Sequence, residues 1–397
     1  MGVVSRFVCL SAVAALPLAL PAAGQEKPIE PGALDRDVSR FGLQINGFAV
    51  GDYNYRFSND ENGFESSVLA VSLFRALSDR ISFFGQVTVH RGEESPFVET
   101  TSTNQARARS GARRPFAAQA EDQSNTFEAE IDNLQVVWAA SPQRGLSVTF
   151  GKFDSPLAIE RDDAPLNFQA TPSFVFQFAR PVKFTGLLVR ETFSPTFEGY
   201  AILANGWDVS SDNNRAKTGA LYGVWSPRSS AHFGLGVIHG AEKDSRTGDP
   251  RTTGVATILV QQTPSWVWGE EIVYGSEPHS AIDGGIARWF GDMFFTHHRL
   301  GAHWAVTLRT DYFDDIDGSR TGHRQVVRSF TVSPQYLVGG GFFGVYRYLD
   351  RTALRIPELA LRLDLRFDRS TERLFAGRKE EDRRDNPSAA FQVVYVF

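Results

Sequence analysis

Cysteine is almost missing from this sequence, and its one cysteine is Cys9. A single cysteine excludes both a disulfide framework and a cysteine-based zinc site. A basic surplus is missing as well, because 41 lysines and arginines face 46 aspartates and glutamates. A dedicated nucleic-acid binder usually has the opposite balance, so the sequence predicts no nucleic-acid partner.

Long apolar runs do not occur after residue 24, and charged residues interrupt every hydrophobic stretch. This pattern excludes a helical membrane protein. The sequence also lacks the motifs of phosphate loops, dinucleotide folds, zinc hydrolases and the nucleophile elbow. We therefore predict no catalytic residues, no cofactor and no metal ligands. A transmembrane β-barrel remains open, because its strands are apolar on one face only.

The first residues have the composition of a secretory signal peptide. Arg6 supplies a positive charge, roughly 15 mostly apolar residues follow, and Ala22-Ala23-Gly24 provides small residues for cleavage. The apolar segment is shorter than the about 20 residues that a membrane span requires. We predict a signal peptide over residues 1–24, a polar periplasmic lead-in over 25–40 and one barrel domain over 41–397.

Alternating hydrophobicity recurs along the rest of the chain. Between Glu358 and Asp368, one face carries four leucines and a phenylalanine, whereas the other carries mostly charged side chains. A period of two indicates a β-strand with one apolar and one polar face. Similar segments are predicted at about 43–57, 64–76, 81–91, 126–139, 146–154, 184–193, 196–206, 217–226, 231–241, 251–262, 266–275, 285–297, 302–312, 324–333, 358–369 and 388–397.

The connections between these segments alternate between short turns and long polar loops. The turn 77–80 is short, for example, whereas the loops 92–125 and 155–183 are long. Short periplasmic turns and long extracellular loops are typical of outer-membrane barrels. We predict an all-β fold, a closed antiparallel transmembrane barrel of about 16 strands. The segment 339–349 alternates too, and we assign it to an elaborated turn because the strand number should be even.

The last segment ends on an aromatic residue. Phe391, Val393, Tyr395 and Phe397 share one face, as expected of a lipid-facing row that an aromatic side chain closes at the membrane interface. We interpret Phe391, Tyr395 and Phe397 as an assembly signal. The segment resembles the terminal strand that outer-membrane proteins present to the barrel-assembly machinery, so this machinery is an expected partner.

Several short motifs resemble one family of bacterial porins. The stretch 148–157 is similar to the GKF…PLG segment of the OmpL-like β-barrel porin-2 family, and 179–187, 203–208 and 309–313 add further similarity. The resemblance implies a Gram-negative outer-membrane porin that passes small hydrophilic solutes passively. Outer-membrane lipids and lipopolysaccharide are expected partners, and association into a homotrimer is left open.

A porin selects solutes by its diameter and by the charges that line it. Charges expected to line the pore are Lys152, Arg190, Arg309, Glu358, Arg362, Asp364 and Arg366. The loop 155–183 combines phenylalanines with charges, so we expect it to fold into the lumen and narrow it. Its candidate constriction residues are Glu160, Arg161, Asp162, Asp163, Arg180 and Lys183. The surplus of basic residues in the lumen predicts a weakly anion-preferring or nearly unselective pore.

Two other classes stay open at this point, an outer-membrane barrel enzyme and a soluble secreted β-rich protein that binds carbohydrate. The enzyme would need a serine, a histidine and a carboxylate that converge on one rim. His297 and His298 are adjacent, so on a strand they would point to opposite faces, and we assign them to a periplasmic turn.

We interpret the tryptophans near strand ends as an interfacial girdle rather than a sugar-stacking lane; they are Trp266, Trp268, Trp289 and Trp304.

Overall fold

A computed structural model describes residues 43–91, 127–212, 214–243, 248–339, 356–377 and 382–397. The predicted signal peptide and lead-in lie outside these residues, as do the loop 92–125 and all of the segment 339–349 except Gly339. No helix in the described part of the chain is long and apolar enough to cross a membrane.

Sixteen antiparallel strands close into one barrel, which confirms the predicted fold and strand number. Each strand overlaps one of the segments predicted from alternation. The strands are β1 (Leu43–Arg56), β2 (Glu61–Ala76), β3 (Ile81–Arg91), β4 (Phe127–Ser141), β5 (Leu146–Asp154), β6 (Lys183–Ser194), β7 (Phe197–Ala204), β8 (Thr218–Arg228), β9 (Ala231–Ala241), β10 (Pro250–Thr263), β11 (Trp266–Glu277), β12 (Ala287–Arg299), β13 (Trp304–Asp315), β14 (Gln325–Val338), β15 (Leu359–Ser370) and β16 (Asp385–Val396).

Turns and loops separate to the two ends of the barrel. The end at which β1 begins has short connections, such as 142–145, 195–196 and 264–265, whereas the opposite end has the connections 155–182 and 205–217. This asymmetry identifies the short-turn end as periplasmic. The connection 339–358 is the long exception at that end.

The barrel closes between β1 and β16. Gly47 and Phe397 exchange two backbone hydrogen bonds, of 2.8 and 2.9 Å. A Cβ at position 47 would lie 2.5 Å from the Phe397 ring and from the Ala70 carbonyl oxygen, so only glycine fits this seam. Because the sheet closes on itself, it has no unpaired edge.

Side chains alternate between an outer and an inner face. On β15, Leu363, Leu365 and Phe367 are 37%, 48% and 45% exposed, whereas Arg362 and Asp364 are buried. The apolar face predicted for this strand is therefore the outer one. Phe391, Tyr395 and Phe397 also lie on the outer face and are exposed. An apolar outer band is what a lipid-facing wall requires.

Residues 155–182, which connect β5 to β6, lie inside the barrel, as the sequence predicts. We call this segment the inner loop. It contains a 3-10 turn, Ala164–Leu166, and a π-helical turn, Val175–Ala179. Its apolar side chains, among them Leu157, Phe174 and Phe178, are buried in one cluster with inner-wall residues of the barrel. The apolar side chains of the loop therefore pack against the wall. The polar groups of the loop need hydrogen-bond partners, which charged side chains of the wall can supply.

Candidate constriction site

Asp364 on β15 is an acceptor for the middle of the inner loop. Its carboxylate accepts hydrogen bonds from the Ala170 amide at 3.1 Å, the Thr171 amide at 2.9 Å and the Thr171 hydroxyl at 2.8 Å. The loop has little secondary structure here, so its backbone amides need partners from elsewhere. The strand supplies one because its inner face is polar.

Three wall arginines donate to carbonyl oxygens of the same loop. Arg309, Arg362 and Arg366 are nearly fully buried. Their guanidinium groups lie 2.5–3.2 Å from the carbonyl oxygens of Ala164, Asn167, Thr171 and Pro172. The wall and the loop thus satisfy one another's polar groups, as buried polar groups require.

Carboxylates neutralise two of these arginines. Arg309 forms ion pairs of 3.1 Å with both Asp311 and Glu160, and Arg366 lies 2.7 Å from Asp368. Glu160 also accepts two hydrogen bonds from the Ser173 amide, at 3.0 and 3.1 Å. Glu160 therefore braces the loop internally as well as against the wall.

A second anchor lies at the end of the inner loop. Arg180 forms an ion pair of 2.5 Å with Glu271 on β11, and both side chains are fully buried. The other carboxylate oxygen of Glu271 accepts from the Ile159 amide at 2.8 Å. Breaking one partner of such a buried pair is costly, because a buried charge is left uncompensated. One wall residue thus holds both the beginning and the end of the loop.

An acidic cluster lies where the inner loop meets β4, β5 and β6. The Lys183 ammonium is 2.6–3.0 Å from carboxylates of Asp132, Asp154 and Asp162. Burial raises the pKa of Asp162 to about 7, although the nearby Lys183 opposes this shift. Burial and the neighbouring Asp162 carboxylate raise the pKa of Asp163 well above its usual range. Asp154, Asp162 and Asp163 are close enough to share a cation, and Lys183 supplies that positive charge from within the chain.

Two predicted pore-lining residues, Lys152 and Glu358, do not lie on the inner wall. Lys152 shares its strand face with Phe150, which is 65% exposed, and its ammonium pairs with Glu130 at 2.8 Å. It lies two residues from the end of β5, where a long cationic side chain can face outward and reach the membrane interface. The prediction of a luminal Lys152 is therefore wrong.

Arg190 faces inward, as predicted, and its guanidinium lies over the Tyr200 ring, 6.0 Å from the ring centroid. It pairs with Glu198 at 3.1 Å, close to the periplasmic turn at 195–196. Glu358 lies just before β15 and is exposed, and its carbonyl accepts from the Val396 amide at 2.8 Å. Glu358 is therefore at the periplasmic rim rather than on the inner wall.

Two aromatic assignments from the sequence also need correction. His297 and His298 do face opposite sides, but they lie within β12 rather than in a turn, and the His297 ring is buried 4.5 Å from that of Phe168. Trp289 is completely buried inside the barrel and donates to the Ala179 carbonyl oxygen at 2.9 Å, so it is not interfacial. Aromatic character alone does not tell which strand face a residue occupies.

A cavity of about 110 Å³ remains between the inner loop and the inner wall. The wall contributes Tyr200, Tyr222 and Phe295, and the loop contributes Phe168 and Arg161. Sequence reasoning missed Tyr200 and Tyr222, as it missed Glu271. The signal that could have found them is strand parity, because each occupies the inner face of its strand.

A closed sixteen-strand barrel with an apolar outside, short turns at one end and a charged loop folded into its lumen defines an outer-membrane porin. The chain belongs to the family described as "Putative beta-barrel porin-2, OmpL-like", whose profile matches residues 42–397. It is an outer-membrane porin of a Gram-negative bacterium and passes small hydrophilic solutes by passive diffusion. The family and the fold are those of a channel.

Solved porin structures share this fold at low sequence identity. An anion-selective porin from Comamonas acidovorans is 11% identical with a TM-score of 0.55, over 89% of this chain and 99% of that one. OmpF of Salmonella typhi, solved with daunomycin, is 10% identical with a TM-score of 0.55, over 91% and 99%. The outer-membrane channel DcaP of Acinetobacter baumannii is 11% identical with a TM-score of 0.53, over 89% and 97%. No curated protein sequence matches the chain.

Proposed function

We propose that the inner loop is the constriction of this porin, and that Arg309, Arg362, Asp364 and Arg366 hold it in place. The observation that carries this proposal is the set of hydrogen bonds from these buried side chains to the loop backbone. Conductance of the refolded protein before and after loop removal tests it. Equal conductance would refute it.

The pore is weakly anion-preferring. Two of the three charged residues that line the cavity, Arg161 and Arg309, are basic, and the third, Glu160, is acidic. Charges act over about 8 Å at physiological salt, so the charges in this lining have more influence on passage than the charge of the whole chain. Reversal potentials in a KCl gradient should show a small chloride preference that Arg161→Gln reduces. Strong cation selectivity in the parent would contradict this proposal.

Passage through the barrel involves no catalysis. Ser226 Oγ lies 2.8 Å from His232 Nδ1, whereas in a serine-hydrolase triad the serine contacts Nε2 and a carboxylate occupies Nδ1. The pair lies beside the periplasmic turn at 229–230, and His232 also lines the cavity beneath the inner loop. A nitrophenyl ester incubated with the refolded barrel should not be hydrolysed. Hydrolysis that Ser226→Ala abolishes would overturn this proposal.

The chain is exported and assembled as the sequence indicates. Residues 1–24 act as a signal peptide, 25–40 form a periplasmic lead-in and 41–397 form the barrel domain, which the barrel-assembly machinery inserts beside lipopolysaccharide. The sequence features of residues 6–24 support export. Amino-terminal sequencing of the protein from outer membranes should begin at Gln25. A start at Met1 would contradict this.

The barrel associates into a homotrimer through the outer face of β11 and β12. Strand alternation places Glu270 and Asp292 on this face, among Trp268 and Phe294. Asp292 Oδ1 is buried and has no hydrogen-bond partner among the described residues. Acidic side chains that face lipid destabilise a barrel. Contact with a second barrel would shield them from lipid and so remove this destabilisation.

A double replacement at Glu270 and Asp292 distinguishes a trimer from a monomer, because its expected effect on stability has the opposite sign in the two cases. Replacing both Glu270 and Asp292 with leucine should stabilise a monomer in lipid but should lower the temperature at which a trimer dissociates. Chemical cross-linking in native membranes gives the oligomeric state directly. Only monomers in both assays would contradict the proposal.

A further inference from the structure

The cavity beneath the inner loop has a mostly apolar, ring-bearing lining. Its wall includes Tyr200, Tyr222, Leu259 and Phe295, and its loop side includes Phe168. Its volume of about 110 Å³ is of the same order as the about 150 Å³ apolar cavity that admits benzene in an engineered protein. A lining of this kind is unusual for a path that passes only hydrated ions, because ions require polar neighbours.

The rings are fixed by their surroundings. Phe168 stacks on Phe295 with ring centroids 5.1 Å apart. The hydroxyl of Tyr222 lies 2.6 Å from Thr257 Oγ1, and that of Tyr200 donates to Glu198 at 2.8 Å. Because the hydroxyls are bonded to the barrel wall, a solute in the cavity meets mainly ring carbons. Preformed apolar surfaces with few polar groups are typical of small-molecule sites.

One polar group in the lining needs a partner. Gln169 lines the cavity, is 94% buried, and its amide nitrogen has no hydrogen-bond partner in the described part of the chain. A buried donor without an acceptor is unfavourable, and an oxygen of a bound solute would satisfy it. Arg161, whose guanidinium donates to the Ser155 carbonyl oxygen, adds a positive charge to the same lining, and Glu160 is paired with Arg309 at 3.1 Å.

We propose that this cavity binds small carboxylates that carry a ring. The ring would lie against Phe168 and Phe295, and the carboxylate would accept from Gln169 close to Arg161. The proposal rests on the inner loop being the constriction, and it names the solute class that the constriction favours. Benzoate is the simplest such solute, and acetate is the matched solute without a ring.

Saturation-transfer NMR with the full-length refolded barrel tests the proposal, because it measures binding whether or not the barrel conducts. Benzoate should bind saturably to the parent, and acetate should not. Phe168→Ala should weaken benzoate binding at least tenfold. Phe176→Ala is the control, since Phe176 belongs to the same loop, does not line the cavity and packs under Arg180. It should bind benzoate as the parent does.

The site is disproved if benzoate and acetate bind the parent equally, or if both phenylalanine variants lose benzoate to the same extent. Phe168→Leu replaces the alanine variant if the latter does not give a heat-modifiable barrel. Gln169→Leu keeps the side-chain size and removes the donor, so it should weaken benzoate binding several-fold. Unchanged affinity would show that the Gln169 amide does not bind the carboxylate.

Conductance of the same preparations separates this inference from the proposed constriction. A conducting parent that does not bind benzoate refutes the binding site and leaves the porin intact. A barrel that binds benzoate but conducts equally with and without its inner loop refutes the constriction and supports the binding site.

Discussion

Asp364 on the barrel wall and Thr171 in the inner loop are joined by two hydrogen bonds, one from the Thr171 amide at 2.9 Å and one from its hydroxyl at 2.8 Å. The two residues are 0% and 2% exposed. Without the loop, Asp364 would face the lumen and be hydrated. Docking of the loop therefore buries a carboxylate, and the loop's own donors offset the cost of burying it.

Asp364→Ala should loosen the inner loop. The change removes the acceptor of three hydrogen bonds, and bonds to charged groups contribute about 1.5–3 kcal/mol each. We expect a larger and noisier single-channel conductance from a barrel that still assembles. Glu191→Ala is the control, because Glu191 pairs with Arg144 near a periplasmic turn, far from the loop. Conductance as in the parent would show that Asp364 does not hold the loop.

Leu363→Arg should destabilise the barrel, because its side chain lies on the outer face of β15. The expected cost is about 2–4 kcal/mol if the residue lies near the bilayer midplane. Arg362→Leu should leave the barrel assembled and instead alter conductance, since Arg362 donates to two loop carbonyls. Urea titration in lipid vesicles measures both variants, and equal destabilisation would contradict the assignment of faces.

The docking of the inner loop should weaken as the pH rises. Burial raises the pKa of Asp162 from 3.8 to about 7. Between these values the docked state retains a proton that the undocked state has released, so raising the pH favours undocking. Asp163 acts in the same direction because its pKa is raised too. Conductance should therefore be higher at pH 8 than at pH 5, and Asp162→Asn should reduce this difference.

Several charged groups face Asp162, namely Lys183, Asp132 and Asp154, so the pH profile belongs to the cluster as a whole. Asp283→Asn is a suitable control. Asp283 is exposed, and a hydrogen bond from the Gly285 amide lowers its pKa. This variant should keep the pH profile of the parent, whereas a flat profile in the parent would count against the role of the cluster.

Deleting Phe397 should reduce assembly more than conduction. Phe397 forms two backbone hydrogen bonds with Gly47 at the closing seam, and its ring lies over that glycine. The amount of heat-modifiable barrel in outer membranes should fall, and any inserted barrel should conduct normally. Gly47→Ala should have a similar effect, since the added methyl group collides with the Phe397 ring. Normal assembly of both variants would contradict the importance of this seam.

Much of the barrel could be predicted because strand alternation is a local property. The period of two in residues 358–368 identifies both the strand and its outer face, and β15 has that face. The inner loop could also be predicted, since its phenylalanines need burial and the lumen is the nearest place for them. Phe174 and Phe178 are buried there.

The contacts that fix the loop could not be predicted in this way. Thr171 and Asp364 are 193 positions apart, and parity tells only that Asp364 faces inward, not what covers it. The same limit explains Lys152, where a charged side chain near a strand end lies outward beside Glu130. It also explains Trp289, which is buried inside the barrel. Alternation could place its side chain inside only once the register of its strand was known.

The most direct test of this account is the single-channel conductance of a barrel in which residues 157–180 are replaced by a short glycine-serine turn. Assembly is checked by heat modifiability, so that only closed barrels are compared. The account predicts a clearly larger conductance than that of the parent, because the inner loop occupies the lumen. The same conductance in both barrels would contradict it.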